Sequence, residues 1–185
     1  YRLSRLLRGQ LGTEDAMAAG HPAEARAVLL GAAAARLPLD RSAVGLERIY
    51  RVGPPQGGIA GAAVVQVPHA ATGRGLMPLS PVHARARRIG GGDLALSWIR
   101  RTRIGGDDWS GEDVPLGEAA ERYRVEILNG GVVVRTVETA APAMVYAAAE
   151  QIADFGGSPA AVDVRIAQVA SGTGAGVPLQ AKLTA

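Results

Sequence analysis

Hydrophobic and polar residues alternate along two stretches of this 185-residue chain, residues 93–101 and 122–128. The large apolar residues that share one side of these stretches are Leu94, Leu96 and Trp98 in the first, and Tyr123, Val125 and Ile127 in the second. Because side chains in a strand point alternately to opposite faces, this period of two predicts two half-buried strands. An inward Trp on an early strand, facing an inward Tyr-x-Val-x-Ile strand, is typical of the core of a small β-sandwich.

The same alternation, interrupted by turn residues, continues through the C-terminal half of the chain. Seven strands are predicted, at residues 81–87, 93–101, 122–128, 132–138, 143–147, 161–169 and 178–184. Asn129-Gly130-Gly131 indicates a hairpin, since Asn and Gly tolerate the positive φ of a tight turn. Residues 147–154 have a helix-forming composition, which predicts a short helical crossing that ends at Gly156-Gly157. The predicted fold class is all-β, with a fibronectin type III-like β-sandwich at residues 81–185.

Residues 1–80 show a weaker pattern. Strands are predicted at residues 26–30, 47–52 and 59–67. The leucines at positions 3, 6, 7 and 11 fit one face of a helix, although the first of them also fits the end of a strand. We expect a small β-rich lobe that leans on a neighbour, because about 80 residues bury little core of their own. Since the chain starts at Tyr1 without a leader, we expect an internal or C-terminal piece of a longer polypeptide, with the lobe completed upstream.

Charge changes sign along the chain. The net charge is +3, and nineteen of the twenty basic residues are arginine. Residues 1–92 carry twelve Arg against five acids, whereas residues 93–185 carry eight basic residues against twelve acids. This reversal indicates either two lobes with different surfaces or two ordinary solvated faces. The lack of cysteine excludes disulfides and thiolate metal sites, and the lack of an 18-residue apolar run predicts no stable membrane span.

A basic cluster and an acidic loop follow the strand at 93–101. The charged residues of this region are Arg100, Arg101 and Arg103, followed by Asp107, Asp108, Glu112 and Asp113. The arginines could bind phosphate, but aromatic residues make up only 4% of the chain and none interleaves with them. We therefore favour a structural role, with Trp109 as a cation–π partner, and expect no nucleic-acid partner. Clustered carboxylates suit calcium, yet their spacing does not match a calcium loop, which favours a solvated loop facing the arginines.

The remaining candidates for chemistry are weak. His21, His69 and His83 are isolated in sequence and lack ligand spacing. Gly172–Gly176 precedes Val177-Pro178 and a terminal strand rather than a helix, which favours a hairpin loop over a cofactor loop. No serine lies in a Gly-x-Ser-x-Gly elbow. The sequence predicts no catalytic residue, no cofactor and no metal site, and so a protein that is not an enzyme.

Four segments resemble a known family. WIRRTRIGGDDW (98–109), DVPLGE (113–118), LLRGQLGTE (6–14) and LMPLSPVH (76–83) are similar to the C-terminal region of large tail-tip proteins of siphophage-like particles. The resemblance is strongest to the "megatron" baseplate protein of gene transfer agents. The residues that carry the match are Trp98, Arg100, Arg101, Arg103, Asp108, Trp109, Pro115, Leu116, Gly117, Glu118 and Tyr123. They are interpreted as fold determinants and contacts, because none belongs to a transferable active site.

The resemblance implies a function. It implies the same fibronectin-like fold and a structural virion component of the distal tail, present in three copies at the tail tip. Its partners would be other tail or baseplate proteins and, at the cell surface, host polysaccharide or envelope. The alternative is a carbohydrate-binding or adhesion module of an extracellular bacterial protein. Such modules present rows of exposed aromatics, whereas this chain has two Trp, of which Trp98 is predicted to be buried and Trp109 exposed.

Overall fold

The computed structural model describes residues 4–10, 12–32, 34–106 and 114–185. Contacts divide the chain into two units, Pro22–Gly75 and a sandwich unit in which the described residues up to His21 join Leu76–Ala185. The predicted boundary, between residues 80 and 81, assigns both the first 21 residues and residues 76–80 to the first lobe. The structure groups them with the sandwich, because Glu14 and Ser80 both bind Arg101 of that unit.

Ten strands and two helices make up the regular structure of the described residues. The strands are β1 (Glu47–Val52), β2 (Val65–Ala70), β3 (Val82–Arg88), β4 (Leu94–Ile99), β5 (Tyr123–Asn129), β6 (Val132–Thr139), β7 (Ala143–Tyr146), β8 (Ala161–Ala170), β9 (Gly174–Ala175) and β10 (Leu179–Thr184). The helices are α1 (Glu14–Ala18) and α2 (Ala148–Phe155), and short 3-10 turns lie at Arg41–Ala43, Pro55–Gly57, Arg74–Leu76 and Gly90–Gly92. Neither helix within these ranges has the length and apolar character needed to cross a membrane.

Two antiparallel sheets form the sandwich unit. One has the strand order β3-β4-β7, and the other has the order β10-β8-β5-β6, with the short β9 paired to the end of β8. A three-stranded sheet of the first, second and fifth strands, facing a sheet of the third, fourth, sixth and seventh, is the fibronectin type III arrangement. The fold is therefore all-β and fibronectin type III-like, as the alternation predicts.

The core lies between the two sheets and is built from the apolar positions that the alternation identifies. Its buried members are Leu94, Leu96, Trp98, Tyr123, Val125, Ile127, Tyr146, Val162, Val164, Ile166 and Leu183. Trp98 is 4% exposed, which confirms the predicted strand phase. Its predicted contrast with Trp109 concerns a residue outside the described ranges. Burial of large apolar side chains dominates the stability of a domain of this size.

The strands of the sandwich are predicted closely from the sequence. All seven are present, with bounds that differ from the prediction by at most two residues. The predicted helical crossing is α2, which ends at Gly156 in the left-handed conformation, with φ of 75°. Gly172–Gly176 forms the connection between the last two long strands, where β9 extends the ladder of β8.

The unit Pro22–Gly75 departs from the prediction. The strand predicted at residues 26–30 is wrong, since this apolar run has no partner strand to complete a ladder, and the strand predicted at 59–67 begins only at Val65. The unit contains one antiparallel hairpin, β1 with β2. Ala43 is the only buried residue among the described residues of this unit. In the first segment, the predicted helical face is absent over the described residues 4–10.

We predict that Trp98→Ala lowers the free energy of unfolding by about 3–5 kcal/mol, because it removes a large side chain from the core. Ile99→Ala is the matched control, since Ile99 is the next residue on β4, points outward and is 55% exposed. Urea unfolding of both variants measures the difference. Equal losses in the two variants would show that the side of β4 facing the core is wrongly assigned.

Candidate functional site

Most of the predicted site residues lie in or beside one segment, which joins the two sheets. This connecting segment, residues 100–122, runs from the end of β4 to the start of β5, and the structure describes its residues 100–106 and 114–122. Asp108 and Trp109 are outside the described residues, as are the other acids of the predicted solvated loop, Asp107, Glu112 and Asp113. No group of three or more potential metal-ligating side chains occurs in the part of the chain that the structure describes.

An aromatic pair fixes both ends of the connecting segment. Trp98, next to the end of β4, packs edge-on against Tyr123, at the start of β5, with ring centroids 5.2 Å apart and planes inclined at 75°. The Tyr123 hydroxyl donates a 2.6 Å hydrogen bond to Oε1 of Glu121. Burial of the ring and the nearby Glu121 carboxylate raise the pKa of Tyr123, so this hydroxyl remains a donor. The pair is a packing contact with a polar outer end.

Arg100 holds the second half of the connecting segment. Its Nη1 and Nη2 donate to the carbonyl oxygens of Pro115 and Val114, both at 3.1 Å. Its Nε lies 3.9 Å from Oε1 of Glu121, the carboxylate that also accepts from Tyr123. The planar guanidinium is suited to this task, because its donors form a rigid fork that can bind two neighbouring acceptors at once.

Arg101 and Arg103 bind two further segments. Arg101 donates through Nε to the carbonyl oxygen of Ser80, at 2.7 Å, and through Nη1 to the carboxylate of Glu14. Arg103 donates through Nη2 to the carboxylate of Glu118, whose side chain is only 10% exposed. The hydrogen bond from Arg101 lowers the pKa of Glu14. We call the three arginines with the groups that they bind the arginine junction.

The arginine junction brings together all four sequence segments that carry the family resemblance. Glu14 belongs to the segment 6–14, Ser80 to 76–83, and Glu118 to 113–118, and each is bound by an arginine of 98–109. Glycines permit the close approach. Gly12 has φ of 75°, and a Cβ there would collide with Cδ2 of Leu79. The matched residues are therefore contacts between distant parts of the chain.

These contacts support the structural interpretation of the arginines. Sequence reasoning expected the acids at 107, 108, 112 and 113 as partners, and these lie outside the described residues. The partners among the described residues are three other acids, Glu14, Glu118 and Glu121, together with backbone carbonyls. The sequence signal that could have indicated these partners is that Glu14 and Glu118 are the last residues of two of the matched segments.

A second polar cluster, which sequence reasoning missed, attaches α2 to the sandwich. Arg135 on β6 binds both carboxylate oxygens of Asp154, at 2.6 and 3.2 Å, and Oε1 of Glu150 at 2.8 Å. Tyr146 donates to Oδ2 of Asp154 at 2.7 Å, and its ring lies 5.8 Å from the Arg135 guanidinium carbon. The hydrogen bond from Arg135, supported by the one from Tyr146, lowers the pKa of Asp154. The sequence signal that could have indicated this cluster is the spacing of Glu150 and Asp154, two acids one helical turn apart, opposite the inward Arg135.

The start of α2 is also held by side chains from elsewhere in the fold. The backbone N–H of Ala148 donates to Oδ1 of Asp93 at 2.8 Å, and that of Ala147 donates to Oε2 of Glu150 at 3.2 Å. The fully buried Gln151 donates to the carbonyl oxygen of Tyr146 at 2.8 Å and accepts from Arg88 at 3.0 Å. The polar groups at this end of the sandwich therefore satisfy one another, which makes them structural rather than reactive.

Comparisons with known proteins give distant structural neighbours only. No protein-family model matches the chain, and no curated protein matches it. Among solved structures, the chain is similar to the third and fourth domains of the extracellular region of rat CD45, at 11% identity and a TM-score of 0.41, over 87% of this chain and 75% of that one. It is also similar to the FN5 domain of Drosophila Lar, at 13% identity and a TM-score of 0.31, over 59% of this chain and 99% of that one.

We predict that Arg100→Lys speeds amide hydrogen exchange in residues 114–118, because a lysine cannot bind the carbonyls of Val114 and Pro115 as a fork. Arg122→Lys is the control, since the only contact of the Arg122 guanidinium with a described acid is a 3.7 Å ion pair with Glu138 at the surface. Exchange measured by mass spectrometry reports the difference. Unchanged protection in the Arg100 variant would contradict the assigned role.

We predict that Asp154→Asn lowers the free energy of unfolding by about 1–3 kcal/mol at neutral pH, through loss of charged hydrogen bonds. Because the pKa of Asp154 is lowered in the fold, the wild-type bonds stabilise above the usual carboxyl pKa of about 4 and are lost as pH falls through the lowered value. The difference between variant and wild type should therefore shrink in acid.

Urea unfolding at a series of pH values measures this dependence. Asp163→Asn is the control, because the Asp163 side chain has no hydrogen bond or ion pair with a described residue. A difference between Asp154→Asn and wild type that stays constant into acid would contradict the role of the Asp154 carboxylate.

Proposed function

We propose that this chain is a structural component of the distal tail, the baseplate or tail tip, of a phage-like particle or gene transfer agent. There it helps to close the tail tip and to contact or penetrate the host envelope. Two findings support the proposal. The fold is the fibronectin-like sandwich that the family resemblance implies, and the four matched segments meet at the arginine junction.

The observation that carries the proposal is the apolar surface of the unit Pro22–Gly75. Its large aliphatic side chains that are exposed are Val28, Leu29, Leu30, Leu37, Leu39, Leu46, Ile49, Val52, Ile59, Val65 and Val67. An isolated two-stranded hairpin is marginally stable at best in water, and monomeric proteins rarely expose large apolar patches. A unit of this kind is suited to an assembly, in which neighbouring subunits cover it.

One face of the hairpin carries an apolar strip. Val52 and Val65 are directly paired across the two strands, and Tyr50 and Val67 form the next pair on the same face. Val52 and Val65 are 60% and 61% exposed. This apolar strip resembles one half of a sheet-packing interface. We propose that other tail proteins, or further copies of this chain in a trimer, pack on it.

The distribution of charge between the two units supports the proposed assembly less than the sequence indicated. The reversal from +7 to −4 depends on dividing the chain at residue 92. The unit Pro22–Gly75 has six arginines against three acids, and the rest of the chain has fourteen basic residues against fourteen acids. Apolar contact, rather than attraction between oppositely charged lobes, is therefore the basis of the proposed assembly.

We propose further that the chain carries no catalytic activity and needs no cofactor. The support is that the charged side chains of the arginine junction, and those around Asp154, are held by hydrogen bonds and ion pairs to other groups of the fold. The alternative function is a carbohydrate-binding or adhesion module. It would need exposed aromatic rings to stack on sugars, whereas among the described residues Trp98, Tyr123 and Tyr146 are buried and Tyr50 is half-buried.

We predict that electron microscopy of intact particles places this chain at the distal end of the tail. Val52→Glu/Val65→Glu should fold its sandwich but be lost from purified particles, because it puts two charges on the apolar strip. Val132→Glu is the control, since Val132 is 67% exposed on the sandwich and should be tolerated.

Density for the chain in the capsid, or its native occurrence as a free soluble monomer, would contradict the location. Full incorporation of the hairpin variant would contradict the proposed role of Pro22–Gly75. Stoichiometric binding of a polysaccharide by the isolated chain, with no particle association, would favour the adhesion module.

A further inference from the structure

The outer faces of the two sheets differ in how their charges are matched. On the four-stranded sheet, Arg124 lies 3.2 Å from Glu138, and Arg165 lies 3.8 Å from Glu126. Arg122 also approaches Glu138, at 3.7 Å. These cross-strand pairs neutralise the face internally, so it offers little unmatched charge to a partner.

The outer face of the three-stranded sheet carries unmatched positive charge. Arg85 and Arg87 are exposed at alternate positions of β3, on the side away from the core. Neither side chain forms a hydrogen bond or an ion pair with any residue that the structure describes. The residues that line the surrounding groove include no acid. Since the arginines on the outer face of the four-stranded sheet pair with acids, Arg85 and Arg87 are set apart by the lack of a counter-charge among the described residues.

A groove with small side chains along its bottom runs across this face. It encloses about 710 Å³ and is formed by β3, β4 and β7. Strand register arranges it in two rows: Arg85 opposite Ser97 and then Ala143, and Arg87 opposite Ala95 and then Val145. Each row thus begins with an arginine and continues over small or aliphatic side chains. Because the side chains at the bottom of the groove are small, the main chain of a bound segment can approach closely.

We propose that this face binds an extended acidic segment of a partner protein, with carboxylates at alternate positions. Residues two apart on a strand are about 6.6 Å apart, so carboxylates at positions i and i+2 of an extended segment match Arg85 and Arg87. Guanidinium groups bind carboxylates through paired hydrogen bonds. The remaining side chains of the segment pack over Ala95, Ser97 and Ala143. This binding does not depend on where the assembled protein is located.

A protein segment fits the face better than a polysaccharide does. The lining of the groove includes no aromatic ring on which a sugar could stack. Its apolar component is aliphatic and flat, which suits the alternate side chains of an extended peptide. The charge is confined to two positions with a fixed spacing, so it selects a pattern of acids and not only a high density of negative charge.

Binding of two labelled synthetic peptides to the full 185-residue chain tests the proposal. One is a ten-residue peptide of alternating Glu and Thr, and the other has the same composition in the order Glu-Glu-Thr-Thr-Glu-Glu-Thr-Thr-Glu-Thr, in which no two Glu are two positions apart. Fluorescence anisotropy should show tighter binding of the alternating peptide, weakening as salt is added. Arg85→Glu and Arg87→Glu should each weaken its binding by about tenfold or more.

Two further variants separate specific binding from general charge. Lys182→Glu makes the same change of charge at an exposed position of β10, on the outer face of the other sheet, and should leave binding unchanged. Ala143→Leu fills the exposed floor of the groove without changing charge and should weaken binding. If an arginine variant fails to fold, amide shifts of Ala95, Ser97 and Ala143 in the unsubstituted chain, on titration with the alternating peptide, decide the matter.

Three results would overturn the proposal. They are equal binding of the two peptides, an equal loss of binding in Lys182→Glu, and no amide shifts on the three-stranded sheet. Tighter binding of a sulfated polysaccharide, lost in the same arginine variants, would assign the face to a glycan instead. None of these outcomes bears on particle location, so this proposal and the proposed function fail independently.

Discussion

The contact between Trp98 and Tyr123 is the interaction on which the arrangement of the rest depends. It joins the two sheets, because one ring belongs to β4 and the other to β5, and both rings are buried. It also fixes the two ends of the connecting segment at the same place in the core. Arg100, two residues after Trp98, can then reach Val114, Pro115 and Glu121. Hydrophobic burial therefore sets the position of the polar contacts.

Two polar clusters lie at opposite ends of β4 and hold neighbouring segments against the sandwich. Beyond Trp98, the arginine junction holds the connecting segment and the residues around Glu14. Beside Leu94, which pairs with Tyr146, the cluster of Arg135 and Asp154 holds α2. Each charged group is partly buried and has a partner, which limits the cost of removing it from water. With both ends held in this way, we propose two surfaces for partners: Arg85 and Arg87 on β3, whose side chains have no acid partner among the described residues, and the apolar hairpin of Pro22–Gly75.

The sandwich could be predicted from the sequence because its signals are local. Alternation at Leu94-x-Leu96-x-Trp98 and a Gly-rich turn after Asn129 each specify structure within a few residues. The partners of the arginines could not be predicted, since Glu14 and Arg101 are 87 positions apart and no local pattern relates them. The inward Arg135 was missed for the same reason, because its acids lie on a helix that follows later. The strand expected at residues 26–30 failed because an apolar run becomes a strand only where a partner strand supplies hydrogen bonds.

The inward packing of Trp98 on Tyr123 thus organises both the sandwich and its connecting segment. Nuclear Overhauser contacts in the full chain test it most directly. We expect contacts between the Trp98 indole and the Tyr123 ring, together with contacts from Leu96 and Val125 to the same core. Contacts of the Trp98 indole with the side chains of Ala95, Ser97 or Ile99 only, on the outer side of β4, would contradict it.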